Sequence, residues 1–429
     1  MVTTIPKPDQ GGMSLHAGLA VLGGSLALFC SVGFMNAFGV FQQYYKENIL
    51  QDMSESQISW IGSVSIFLVY AVAPITGILV DRIGPTALLI IGALGTLLAV
   101  FMTSLCTEYY QFFLAQAMLL GPSMALLTWP PIAVVSRLLP NNRGLALGVV
   151  VGGSSVGGVV WPVMLERLLN GSNLGFGWVM RIIGFTMLPL LAILCVTVVE
   201  RPQPSESLAT STSESSEESA SPLSAPLEDE KSRRVDISIL KNKIFLLLAL
   251  GFGFGYLGLF LPIFFISSYA TARGVSTDMS FYLVSIVNAA SLLGRVLPGY
   301  LADRYGHFNL CLLALVASAV TGFCWTSTTS LAGLIWWSLA YGFSSGAIIA
   351  LQAACVGKIA TYQTQGTAMG LFMGLVAVTT LVGAPIGGAL LGKYGYTALA
   401  MFTGATLLTG AALVTMSRLL LNNRVLAVV

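Results

Sequence analysis

The chain has 429 residues, of which 55% are hydrophobic and only 9% charged, with a formal net charge of +2. A soluble domain carries roughly 25% charged residues, so this composition excludes a soluble enzyme, and so small a net charge gives no footing for nucleic acid. Six cysteines, none in a Cys-x-x-Cys pair, and two histidines, His16 and His307, supply no disulfide framework and no donor set for a metal; no cofactor is expected.

A bilayer core about 30 Å thick takes about 20 apolar residues as a helix. After a polar tail at 1–15, the sequence predicts six spans at 16–42, 57–80, 85–106, 110–138, 143–168 and 178–199, forming an N-terminal bundle over 16–200. The first run follows polar residues and lacks a small-residue cleavage site, so it is read as a span and not as a signal peptide. Residues 201–242 then break the pattern, with nine Ser between Pro202 and Pro226 and a mixed-charge run from Glu228 to Arg234. Such a segment cannot bury a core and reads as a disordered cytoplasmic tether, or alternatively as a phosphorylation-controlled one. Six more spans follow at 243–270, 279–302, 308–327, 330–358, 366–392 and 396–420, a C-terminal bundle over 243–420 with a tail at 421–429. The expected fold class is an all-α integral membrane protein of twelve transmembrane helices.

With the N-terminus inside, fourteen of the twenty Lys and Arg fall on inner segments and four on outer ones. Positive charge collects on the cytoplasmic side, so both termini are expected there. The plasma membrane is the expected location, the vacuolar membrane the second choice. Asn170-Gly171-Ser172 is an N-glycosylation sequon in an outer loop, a possible site of modification at Asn170.

The two halves repeat at an offset of 222: Gly77, Asp81, Arg82 and Gly84 match Gly299, Asp303, Arg304 and Gly306. Gly144 and Gly148 match Gly366 and Gly370, and Gly33 and Phe38 match Gly255 and Phe260. A constant shift across separate regions implies two six-helix bundles of one topology, as in a carrier whose halves rock about a central site. The repeat supplies both halves within one chain, so a monomer is expected to function, with a small molecule and the lipid bilayer as its partners.

Both copies of the loop after the second span of each half read Gly-x-x-x-Asp-Arg-x-Gly, at Gly77–Gly84 and Gly299–Gly306. This resembles the cytoplasmic signature of the major facilitator superfamily. Gly33 to Tyr45, Ser59-Trp60-Ile61-Gly62, Gly177-Trp178 with Arg181, and Asn288-Ala-Ala-Ser291-Leu-Leu-Gly294-Arg295 are similar to the fungal branch of its monocarboxylate porters. The animal proton–lactate carriers of that family have a Lys in the first span and an Asp one turn before the eighth-span Arg. Here the first span has no Lys and the Asp position is Ser291, while Arg295 is kept. The resemblance implies a secondary transporter of small organic anions or metabolites. The unusual linker and the lost Lys and Asp lean the reading toward efflux of a biosynthetic metabolite; uptake of a monocarboxylate or vitamin-like nutrient and a non-transporting sensor are the alternatives.

Arg295 lies eight residues before Asp303, about 12 Å along a helix from the inner end. A guanidinium at that depth needs water, a partner or a ligand. It either binds an anionic substrate group or hydrogen-bonds helix carbonyls. Asn288, Ser291 and Arg295 are spaced three and four apart and share one helix face, which Asn36 of the first span could meet from the other half. These four are the candidate substrate-binding residues, with Trp129, Trp336, Trp337, Tyr256 and Tyr341 as a candidate aromatic wall, or simply as packing. The resemblance further implies that Asp81, Arg82, Arg143, Asp303 and Arg304 form a gate that closes the inner side; the alternative is loop caps and topology anchors. Arg181 is read as structural or as a partner of Glu166. The fifth span carries Gly148, Gly152, Gly153, Gly157 and Gly158, spacings that let helices approach closely. That cluster partly resembles an antiporter signature of drug exporters, except that the usual Pro is Ser154.

Overall fold

A computed structural model describes residues 15–170, 174–198 and 238–423. The tether over 201–237, both tails and the sequon's Gly171 and Ser172 lie outside the described residues; Asn170 ends a helix.

All regular structure among the described residues is helical. In chain order the spans are α1 (Leu15–Ile49), α2 (Gln57–Ile83), α3 (Pro85–Thr103), α4 (Tyr109–Leu138), α5 (Arg143–Asn170) and α6 (Phe176–Thr197). The second set is α7 (Lys243–Ala272), α8 (Thr277–Tyr305), α9 (His307–Phe323) and α10 (Leu331–Ile359). A single helical run, Gln365–Leu421, is broken at Gly395, whose φ of 76° no helix tolerates, and so makes α11 (365–394) and α12 (396–421). These twelve helices match the expected number. At 17 residues α9 is shorter than the other spans.

Local chemistry sets the ends. Ser54 accepts from the backbone N–H of Gln57 while the Gln57 side chain answers the Ser54 N–H, a reciprocal cap that starts α2. Asn242 caps α7 and Ser330 caps α10 in the same manner, each with one bond. The glycines that close the two Asp-Arg loops, Gly84 and Gly306, have φ of 80° and 94°; this left-handed backbone is why the motif ends on glycine in both halves.

The first span is longer than expected, reaching Ile49 instead of residue 42. Residues 42–48 are polar enough to read as a loop, yet Tyr45 is fully buried, its ring 4.4 Å from that of Phe112 and 5.9 Å from that of Phe41. That packing holds the helix together beyond the apolar run. α1 also widens to π geometry at Phe29–Gly33 and Tyr45–Ile49, and α4 does so at Phe113–Leu119.

On α3, Ile91, Leu94 and Leu98 form an exposed apolar stripe at helical spacing, and Leu313 and Val320 do the same on α9. Lipid is the solvent that suits such faces. The two halves meet through α5 against α8 and α2 against α11. Glycine makes these crossings close. A Cβ at Gly144 would strike the carbonyl of Gly299, and one at Gly148 that of Arg295; in the repeat-related crossing, Gly366 faces the Gly77 carbonyl and Gly370 that of Ala73.

Candidate functional site

Arg295 projects from α8 toward α5 and is only 5% exposed. Its Nη1 donates to the Val151 carbonyl at 2.7 Å and to Ser154 Oγ at 2.5 Å. Its Nε is buried and has no hydrogen-bond partner. Nη1 is thus held by a helix carbonyl and a serine hydroxyl, while Nε makes no hydrogen bond. A carboxylate fits such a fork edge-on.

The hydroxyls of Tyr70 on α2 and Tyr256 on α7 lie within electrostatic reach of Arg295. Rings run across the interface beside it: Trp129 to Tyr70 at 5.7 Å, Tyr70 to Tyr256 at 6.1 Å and Tyr256 to Phe260 at 5.5 Å. The polar tips are tied down. Trp129 Nε1 donates to the Val69 carbonyl and the Tyr256 hydroxyl to Gln352 Oε1, each at 2.9 Å. Pinned rings present fixed faces, the geometry that flat ligands need.

Asn36 and Asn288 come together from opposite halves. A Cβ built on Gly158 of α5 would lie 2.9 Å from Asn36 Nδ2 and 3.2 Å from Asn288 Oδ1. Asn288 also donates to its own helix at the Val284 carbonyl. Ser291 turns elsewhere: it is buried with its Oγ against Gly346 of α10. The structure thus aligns Asn36, Asn288 and Arg295 along α5 and separates Ser291 from them. The aromatic wall divides as well. Tyr256 lies within electrostatic reach of Arg295, and Trp129 joins it through Tyr70. Trp337 and Tyr341 stack on each other at 5.0 Å within a cluster of the C-terminal half, and Trp336 is 73% exposed on the outside.

At the end of the molecule that carries the two Asp-Arg loops, each loop grips the opposite half. Asp81 accepts from the backbone N–H groups of Gly366 (3.0 Å) and Thr367 (2.5 Å) and from the Thr367 hydroxyl (2.6 Å) at the head of α11. Asp303 accepts from the N–H groups of Gly144 (2.7 Å) and Leu145 (2.9 Å) at the head of α5. A carboxylate at a helix N-terminus satisfies orphan donors and meets the positive end of the helix dipole. Arg137 is in direct contact with Asp81, and Arg82 is exposed. Beside Asp303 stands His307, its Nε2 3.0 Å away, while Arg304 is exposed. Arg143 is buried, donates to the Ser136 carbonyl at 3.1 Å and lies within electrostatic reach of Asp303. Arg181 lies over the Trp178 ring at 5.0 Å instead of pairing with Glu166. No cluster of three potential metal ligands occurs among the described residues.

Sequence reasoning missed Arg137, Tyr70 and Gln352. Arg137 was one inner cation among many, and Tyr70 and Gln352 sit singly in apolar runs, with no spacing that marks them.

Comparisons with known proteins accord with this geometry. The sequence profile of the Major Facilitator Superfamily matches residues 21–376 and 299–425. An MFS-type transporter of Aspergillus fumigatus is 56% identical over 95% of this chain and 93% of its own length. The agnestins efflux protein of Paecilomyces divaricatus is 42% identical over 93% of this chain and 86% of its own. The aspyridones efflux protein of Emericella nidulans is 36% identical over 91% and 74%. Among solved structures, the Escherichia coli fucose:proton symporter superposes with a TM-score of 0.70 at 13% identity, covering 93% of this chain and 98% of that one. The human organic anion transporter TETRAN gives 0.67 at 16% identity with the same coverage. Two repeated six-helix halves, reciprocal Asp clasps and a profile match along nearly the whole chain lead to one conclusion: the protein belongs to the major facilitator superfamily and is a membrane transporter.

Proposed function

We propose that this transporter exports a small acidic metabolite of a biosynthetic pathway, in the manner of a monocarboxylate-porter-like carrier. The observation that carries the reading is the half-satisfied fork of Arg295, buried between the halves beside the pinned rings of Trp129, Tyr70 and Tyr256. The fork takes the acidic group, the rings take a flat body, and Asn36 and Asn288 supply further hydrogen bonds. Relatives named as efflux proteins for agnestins and aspyridones support the outward direction. The substrate brings its own proton as a neutral acid or runs downhill, because the sequence offers no Asp or Glu at the depth of Arg295.

In this reading the Asp81 and Asp303 clasps hold the cytoplasmic side shut and release when the halves rock. Residues 1–15 and 421–429 face the cytoplasm, 201–242 tethers the halves, and the monomer works alone in the plasma membrane. The test compares what cells retain and what they release with the gene intact and deleted. Accumulation of an acidic metabolite inside deletion cells, with its loss from the medium, is the expected result. Loss of uptake of a supplied acid, with the released profile unchanged, would reverse the direction.

A further inference from the structure

The two halves cross each other twice by the same design, each with an Asp clasp at its end, but midway along only the α5–α8 crossing carries an arginine. At the offset of 222, Arg295 corresponds to Ala73, Ser154 to Val376 and Val151 to Met373. Gly148 packs on the Arg295 carbonyl as Gly370 packs on that of Ala73, so the backbones of the two crossings match. The α2–α11 crossing closes with an alanine and a valine. The fold therefore does not require the Arg295–Ser154 bond, and a purely structural role fails to explain why it stands on one side alone.

The bond is also built with care. Ser154 is 2% exposed; its hydroxyl donates to the Val151 carbonyl at 2.9 Å and accepts from Arg295 Nη1 at 2.5 Å. The same Nη1 reaches the Val151 carbonyl at 2.7 Å. Serine, carbonyl and guanidinium form a closed triangle that joins the halves about 12 Å from the Asp303 end. The serine stands where the antiporter-like cluster would place a proline, a residue with no side-chain acceptor.

We infer that Ser154 is a positioning residue that competes with the substrate for Arg295: it holds the guanidinium across the halves when the site is empty and yields it to an acidic group when the site fills. Occupancy then loosens the mid-membrane link that keeps the Asp303 end closed. This rests on the acidic-substrate reading for its second half and on geometry alone for its first.

Backbone hydrogen exchange of the full chain in lipid nanodiscs tests both halves. The reporter is the peptide holding Gly144 and Leu145, whose N–H groups Asp303 protects. Ser154→Ala without ligand should speed exchange there by about tenfold, the size of a hydrogen bond to a charged group. Ser154→Thr should restore the wild-type rate. Ser155→Ala removes an equally buried hydroxyl that has no partner and should change nothing. Benzoate, a simple aromatic acid, should speed exchange in wild type and act at about tenfold lower concentration in Ser154→Ala. If Ser154→Ala exchanges like wild type and Ser155→Ala, the inference is overturned, whatever benzoate does. If Ser154→Ala opens the end but benzoate moves neither protein, the clasp stands as a lock and its competition with aromatic acids is refuted.

Discussion

Asp81 and Asp303, one repeat apart, each cap the first turn of a helix in the opposite half: Asp81 at Gly366 and Thr367, Asp303 at Gly144 and Leu145. The pairing is reciprocal, since Gly366 and Thr367 are themselves the repeat-mates of Gly144 and Leu145. One motif, used twice, ties the end of the molecule shut with four backbone donors. Its partners differ in the two copies, a guanidinium at Asp81 and an imidazole at Asp303.

That difference sets the first prediction. Asp81→Asn removes the carboxylate from the buried Arg137, and losing one partner of a buried pair costs about 3–5 kcal/mol. Asp303→Asn removes two backbone contacts and a histidine contact but leaves no buried guanidinium in direct contact uncompensated. Asp81→Asn should therefore lower the thermal midpoint in detergent more than Asp303→Asn, while both reduce flux. Equal midpoints would show that Arg137 draws little from Asp81.

Close backbone approach gives the second. Gly148 has no room for a Cβ against the Arg295 carbonyl, whereas Gly388 has nothing within 4 Å of the same point. Gly148→Ala should destabilise the protein by about 1–3 kcal/mol through overpacking and abolish flux. Gly388→Ala should behave as wild type. Thermal unfolding and flux on the same preparations check both.

The ring pair supplies the third. Tyr256→Phe leaves Gln352 Oε1 without its donor and removes a hydroxyl near Arg295. The unsatisfied acceptor should cost about 1–3 kcal/mol of stability, and loss of the hydroxyl near Arg295 should raise the substrate KM with maximal flux less affected. Trp336→Ala, on the exposed face, should leave KM unchanged. A KM that responds to Trp336 and not to Tyr256 would move the site away from these rings.

The sequence made the architecture legible because it is written in long-range patterns. Apolar runs of about 20 residues mark spans, and the doubled Gly-x-x-x-Asp-Arg-x-Gly loop marks the repeat. Gly84 and Gly306 could be understood from chain chemistry alone, since only glycine sits easily at their φ. The aspartates of the doubled motif were legible, whereas Arg137, which contacts Asp81 from α4, was not. Arg137 lies 56 residues from Asp81 along the chain, a separation that no local spacing reveals. Ser291 shared a spacing with Arg295, yet α8 is gripped on two sides, by α5 and by α10, and Ser291 falls to the second. Spacing defines a face; it does not say which neighbour covers it. Ser154 stood out in the sequence only as a departure from the antiporter-like cluster; its contact with Arg295 was not legible there.

The central claim is that Arg295 receives an acidic substrate between the halves, and flux through reconstituted protein tests it most directly. Radiolabelled benzoate should cross proteoliposomes saturably with wild type. It should fail to cross with Arg295→Ala and cross slowly with Arg295→Lys, which keeps the charge but loses the planar fork. All three proteins should share one fold by circular dichroism. Saturable benzoate flux that survives in Arg295→Ala would contradict the account and place the acid's site elsewhere.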